Sequence, residues 1–110
     1  MQKVKITILG TEYEIHTDVT PEADPRIVAV DGFCDTSTKQ IKIAKIEQSI
    51  DSLSDLDVYR KKITRHEIIH AYMYESGLDC NSEWGRDETL IDWIAIQIPK
   101  LITTLTDADC

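Results

Sequence analysis

Apolar and polar residues alternate at the start of the chain. Val4, Ile6 and Ile8 interleave with Lys3, Lys5 and Thr7, the two-residue period of a half-buried strand. Gly10-Thr11 reads as a turn and Tyr13 to His16 as the returning strand. Pro21-Glu22-Ala23-Asp24-Pro25 marks a loop. Ile27 to Val30, followed by Phe33-Cys34, reads as another strand. Asp35-Thr36-Ser37-Thr38 is turn-like, and Gln40 to Ala44 returns with Ile41 and Ile43 on one face. The pattern then changes. From Ser54 to Ser76 there is no Gly or Pro, and good helix formers fill the middle. Ser54, with Asp57 three residues on, is suited to cap a helix, and Gly77-Leu78 to end it. A helix over 54–76 is therefore expected. A second should start at about 83, with Leu90, Trp93, Ile94 and Ile98 as an apolar core stripe. Pro99 should interrupt or kink it, and Leu101 to Leu105 would continue it as a tail. The expected fold is α+β: a small twisted, mostly antiparallel N-terminal sheet followed by two helices, in one domain spanning 1–110.

The first helix carries His66-Glu67-Ile68-Ile69-His70, the pattern H-E-x-x-H. Residues four apart on a helix lie about 40° apart around its axis, so both imidazoles point the same way. Two imidazoles in that register can share one Zn²⁺, with Glu67 beside the metal as general base. A catalytic zinc takes a third protein ligand and leaves a fourth position for water. The metzincin extension is absent, since Met73 stands where its Gly would be and Ser76 where its third His would be. Glu75 lies on the opposite face of the helix from the metal, and Cys80 is a lesser alternative. The better source is Asp87-Glu88-Thr89-Leu90-Ile91-Asp92. Glu88 and Asp92 are four apart and share a helix face. Glu88 can ligate zinc while Asp92 takes the free ring nitrogen of a zinc histidine and fixes its tautomer.

At these residues the chain resembles the gluzincins, the thermolysin-like zinc metallopeptidases. Their pattern is H-E-x-x-H followed downstream by Asn-Glu-x-x-x-Asp. Here the second element reads Asp87-Glu88-x-x-x-Asp92, with Asp87 in place of the usual Asn. The resemblance implies His66, His70 and Glu88 as ligands, Glu67 as base and Asp92 behind a histidine. It covers residues 66–92 directly. More broadly, the chain is similar to the short gluzincin-like proteins of phages and mobile elements, and to their repressor-cleaving metallopeptidases.

The implied reaction is hydrolysis of a peptide bond by zinc-activated water, with Glu67 moving the proton. An edge strand beside the zinc, expected near Gly32-Phe33-Cys34, would pair with an extended peptide or protein substrate. The developing oxyanion needs zinc and at least one further donor. Larger gluzincins place a Tyr or His beyond the glutamate helix, and this chain has neither after Tyr74. Tyr74, one turn past His70, is the candidate donor, with Tyr59 and His16 as alternatives. Trp84 is a second aromatic that could line the cleft. The rival reading is a noncatalytic, zinc-stabilised binding or regulatory protein of a phage or mobile element. The missing donor favours the rival; Glu67, which structural zinc does not need, favours the enzyme.

A net charge of −8 argues against nucleic acid as a partner, because phosphate contacts need clustered Lys and Arg. The stripes Lys39, Lys42, Lys45 and Arg60-Lys61-Lys62 read as solvated faces. No leader or membrane-spanning segment is recognisable. Cys34, Cys80 and Cys110 are an odd set without C-x-x-C spacing, which fits reduced thiols and a cytoplasmic chain.

Overall fold

A computed structural model describes residues 2–47 and 55–110. Ser54, the expected helix cap, lies outside them. The fold is α+β, with a four-stranded sheet first and helices after it. Strands β1 (Gln2–Ile8) and β2 (Thr11–Val19) form a hairpin. Its turn is Leu9-Gly10, one residue earlier than expected, because Thr11 already pairs with Ile8. Both turn residues have positive φ, 47° and 86°, which matches the twist of the strands. Strands β3 (Gly32–Asp35) and β4 (Gln40–Ala44) form a second antiparallel hairpin. Asp35 Oδ1 shapes its turn by accepting from the N–H groups of Ser37 and Thr38 and from the Ser37 hydroxyl. β4 then pairs parallel with β2, giving the order β1-β2-β4-β3. The sheet is thus mostly antiparallel, and β3 is an edge.

Ile27 to Val30 is not a strand. Pro25–Ala29 forms a 3₁₀ turn instead. Pro25 presets φ, and the Asp24 carboxylate captures the Arg26 N–H at 3.0 Å. These local terms outweigh the β preference of Ile27 and Val28. Asp24 is buried and also accepts from the Arg26 guanidinium and from Lys42, each at 2.8 Å. Arg26 reaches on to Asp35 at 2.7 Å. Arg26 and then Lys42 hold the Asp24 carboxyl far below its usual range, and Ser37 and Arg26 do the same for Asp35. This network pins the loop against the β3–β4 hairpin and so fixes the edge strand.

Helix α1 (Leu56–Glu75) is capped by Asp55, whose side chain accepts from Val58 N. It stops where Gly77 turns left-handed at φ 88°. Ile63 and Ala71 pack on the sheet with Ile8, Tyr13, Ile15, Ile41 and Ile43. β3 approaches α1 closely at Gly32, where a Cβ would stand 2.9 Å from Ile63 Cγ2. Glu75 ties the end of α1 to the sheet, accepting from Thr11 Oγ1 at 3.0 Å, Tyr13 OH at 2.6 Å and Lys39 Nζ at 2.8 Å. Its place away from the histidines agrees with its expected face.

A short α2 (Leu78–Asn81) and a 3₁₀ turn (Glu83–Arg86) lead into α3 (Glu88–Asp107). α3 begins after Asp87, not at 83, because the Asp87 side chain caps the N–H groups of Thr89 and Leu90. Gly85 lets the preceding turn close on α2: a Cβ there would lie 2.6 Å from the Leu78 carbonyl. Ile91, Ile94 and Ile98 pack with Ile69, Met73 and Leu78 in a second core between α1 and α3. Trp93, expected in the core, is 59% exposed. It lies roughly 160° around the helix from Ile91, on the far side from α1. Pro99 does not interrupt α3, which continues to Asp107. No helix among the described residues is long and apolar enough to cross a membrane.

Candidate metal centre

Two helices supply the centre. α1 brings His66 and His70 to one face, one turn apart, with ring centroids 4.9 Å from each other. α3 brings Glu88 in its first turn and Asp92 one turn later. The Glu88 carboxylate meets both imidazoles: Oε1 lies 2.5 Å from His70 Nε2 and Oε2 lies 3.3 Å from His66 Nε2. Ligand atoms of these three residues all fall within 4.8 Å of one another, the one such group among the described residues. His66 Nδ1 faces Asp92 Oδ1 at 3.1 Å. With its proton on Nδ1 donated to Asp92, His66 presents the Nε2 lone pair to the centre, as a ligand must. The donor set of two imidazoles and a carboxylate therefore fits zinc.

The electrostatics follow from burial. Glu67 is 8% exposed, and burial pushes its carboxyl up to about 7, with His66 opposing and Glu88 adding to the rise. Burial also lowers the pKa of His70, against the pull of Glu88, and so favours the neutral ring that metals bind. Burial works to raise Asp92, but hydrogen bonds from His66 and Lys62 outweigh it and hold the carboxyl below its ordinary value. Lys62 Nζ stands 3.3 Å from the same Asp92 oxygen that faces His66.

Glu67, His70 and Glu88 open into a cleft of about 300 Å³. Its other wall is the edge strand, through Gly32, Phe33 and Cys34, with Thr36 in the hairpin turn and Asp79 in α2. The edge strand expected near Gly32-Phe33-Cys34 thus lies beside the histidine helix. A larger hollow of about 610 Å³, near Val19, Ile27 and Ala44, shares no lining residue with this cleft.

The expected oxyanion donor is elsewhere. Tyr74 does not line the cleft; its ring lies 4.9 Å from Lys39 Nζ. Tyr59 donates to Asp31, and His16 is buried in β2 with Nε2 at 2.6 Å from Glu14. Trp84 is half exposed and outside the cleft lining. Cys80 is exposed and outside the ligand group. Two cleft residues, Thr36 and Asp79, carried no sequence signal beyond their places in a turn and just after a helix stop.

Removing Asp92 tests the arrangement behind His66. Asp92→Ala is expected to weaken zinc binding by about 10–100-fold, because the ring loses its orienting partner. Competition with a chromophoric chelator measures this, and an unchanged affinity would show that Asp92 serves only Lys62.

Compared with known proteins, the chain matches no family model, no curated protein and no solved structure.

Proposed function

We propose that this chain is a gluzincin-like zinc metallopeptidase acting on an extended peptide or protein segment. One observation carries the reading. A buried carboxylate, Glu67, lines the same cleft as His70 and Glu88, the Nε2 atoms of His66 and His70 converge on Glu88, and Asp92 takes the other nitrogen of His66. A site built only to hold a metal needs the histidines and Glu88 but gains nothing from burying Glu67, which costs desolvation.

His66, His70 and Glu88 would hold the ion. When bound, zinc supplies Lewis acidity that lowers the pKa of water and polarises a carbonyl. Glu67, a buried carboxylate in the cleft wall, takes the proton of the attacking water and gives it to the leaving amine. β3 offers backbone donors and acceptors along its free edge to a substrate strand, which brings a peptide across the cleft above Glu67 and His70. The Thr36 hydroxyl is a neutral donor in the same wall.

The second reading, a noncatalytic zinc-stabilised binding or regulatory protein of a phage or mobile element, draws on the position of Tyr74. No Tyr, and no His besides the ligands, lines the cleft among the described residues.

Zinc-loaded protein incubated with a broad peptide library, read by mass spectrometry, separates the two. The enzyme reading expects discrete cleavages that vanish with chelator and return with zinc. Zinc at about one per chain with no cleavage of any peptide, or of the protein itself at high concentration, would favour the noncatalytic reading.

A further inference from the structure

Pro99 sits inside α3 and has no N–H to give. The carbonyl four residues earlier, that of Ala95, therefore lacks its helical donor. Ala95 is fully buried, so water cannot replace that donor. The partner comes from the other helix: Arg65 Nε donates to Ala95 O at 2.6 Å. Arg65 immediately precedes His66, and Ala95 lies one turn past Asp92 and two turns past Glu88. The bond joins the two ligand-bearing helices close to the ligands.

Apart from this bond, the partly exposed pair Lys62–Asp92 and the contacts of Glu88 and Asp92 with the histidines themselves, these helices meet through apolar side chains, Ile69, Met73, Ile91, Ile94 and Ile98. Apolar packing is non-directional and tolerates sliding, whereas a charge-assisted hydrogen bond fixes distance and direction. We propose that Arg65 is a positioning residue, whose bond to the carbonyl freed by Pro99 sets α3 against α1 so that Glu88 and Asp92 meet the two histidines. The proposal rests on the zinc reading above. It gives Pro99 a role within a continuous helix: it frees one carbonyl for a partner on the neighbouring helix.

The test compares the full chain with Arg65→Ala, Pro99→Ala and the double variant. Metal-free melting temperature and zinc affinity by chelator competition are measured for each. Pro99→Ala restores a backbone donor to Ala95 O, and the second lone pair of that carbonyl still accepts Arg65, so its zinc affinity should stay near that of the parent. Arg65→Ala should melt lower and bind zinc less tightly. In the double variant the carbonyl is satisfied within α3, so the melting temperature should recover. Its zinc affinity should not: it should remain weaker than that of Pro99→Ala by about tenfold or more, the scale of a lost supporting interaction. Equal zinc affinity in the double variant and in Pro99→Ala would overturn the proposal and leave Arg65 as a partner for an orphaned carbonyl. If Arg65→Ala alone fails to fold, that last comparison still decides. A parent chain that binds no zinc would overturn the metal reading, and the proposal with it.

Discussion

Glu67→Gln should abolish peptide-bond hydrolysis while leaving zinc in place. Gln has nearly the same shape but cannot accept the proton, and loss of a positioned acid–base group lowers rates by about 10²–10⁴-fold. The ligand set of His66, His70 and Glu88 is untouched, so zinc content should be unchanged. The metal-free variant should also be the more stable protein near neutral pH. The Glu67 carboxyl is raised from its ordinary 4.5 to about 7, so the folded chain resists its ionisation. A raised carboxyl costs stability as pH climbs from 4.5 through 7, and costs nothing below that window, where it is protonated in both folded and unfolded chains. The melting gain of Glu67→Gln should therefore be full at pH 8 and fade as the pH falls toward 4.5. Equal cleavage by variant and parent would assign the activity to a contaminant.

Glu88→Ala should lose zinc with little loss of fold. The Glu88 side chain is 69% exposed and pairs with the two imidazoles, so its removal opens no buried cavity. The stability cost is that of one acid in the first turn of a helix, about 0.3–1 kcal/mol. The metal cost is much larger, because a direct ligand disappears. Affinity should fall by more than the roughly 10–100-fold expected when an outer partner is lost. Equilibrium dialysis with metal analysis reads this directly. Full zinc occupancy at unchanged affinity would remove Glu88 from the site and, with it, the likeness to gluzincins.

Residues 66–92 show how far sequence alone reaches in this chain. The pentad could be placed on a helix because helical spacing brings positions four apart to one face, whatever the helix packs against. Gly77 ends that helix for an equally local reason, its left-handed backbone. Asp87 also acts locally, but periodicity does not register it: the apolar stripe extends the helix back to about 83, whereas the Asp87 side chain captures two N–H groups and sets the start at Glu88. The strand expected at Ile27 to Val30 gave way for the same kind of reason, an aspartate and a proline acting on their neighbours against a weaker β preference.

The α+β order, the register of His66 with His70 and that of Glu88 with Asp92 follow from the residue pattern, because each depends on the period of one element. Which elements meet depends on the packing of the folded chain. It set β3 at the edge facing Glu67, through parallel pairing of β4 with β2 and the approach allowed by Gly32. It turned Trp93 outward and Ile91 inward, since a stripe does not tell which neighbour will cover it. It carried Tyr74 to Lys39 and away from the cleft. It also set Arg65 on the Ala95 carbonyl that Pro99 leaves free. These contacts join residues far apart in the chain, and periodicity within an element carries no information about its partner.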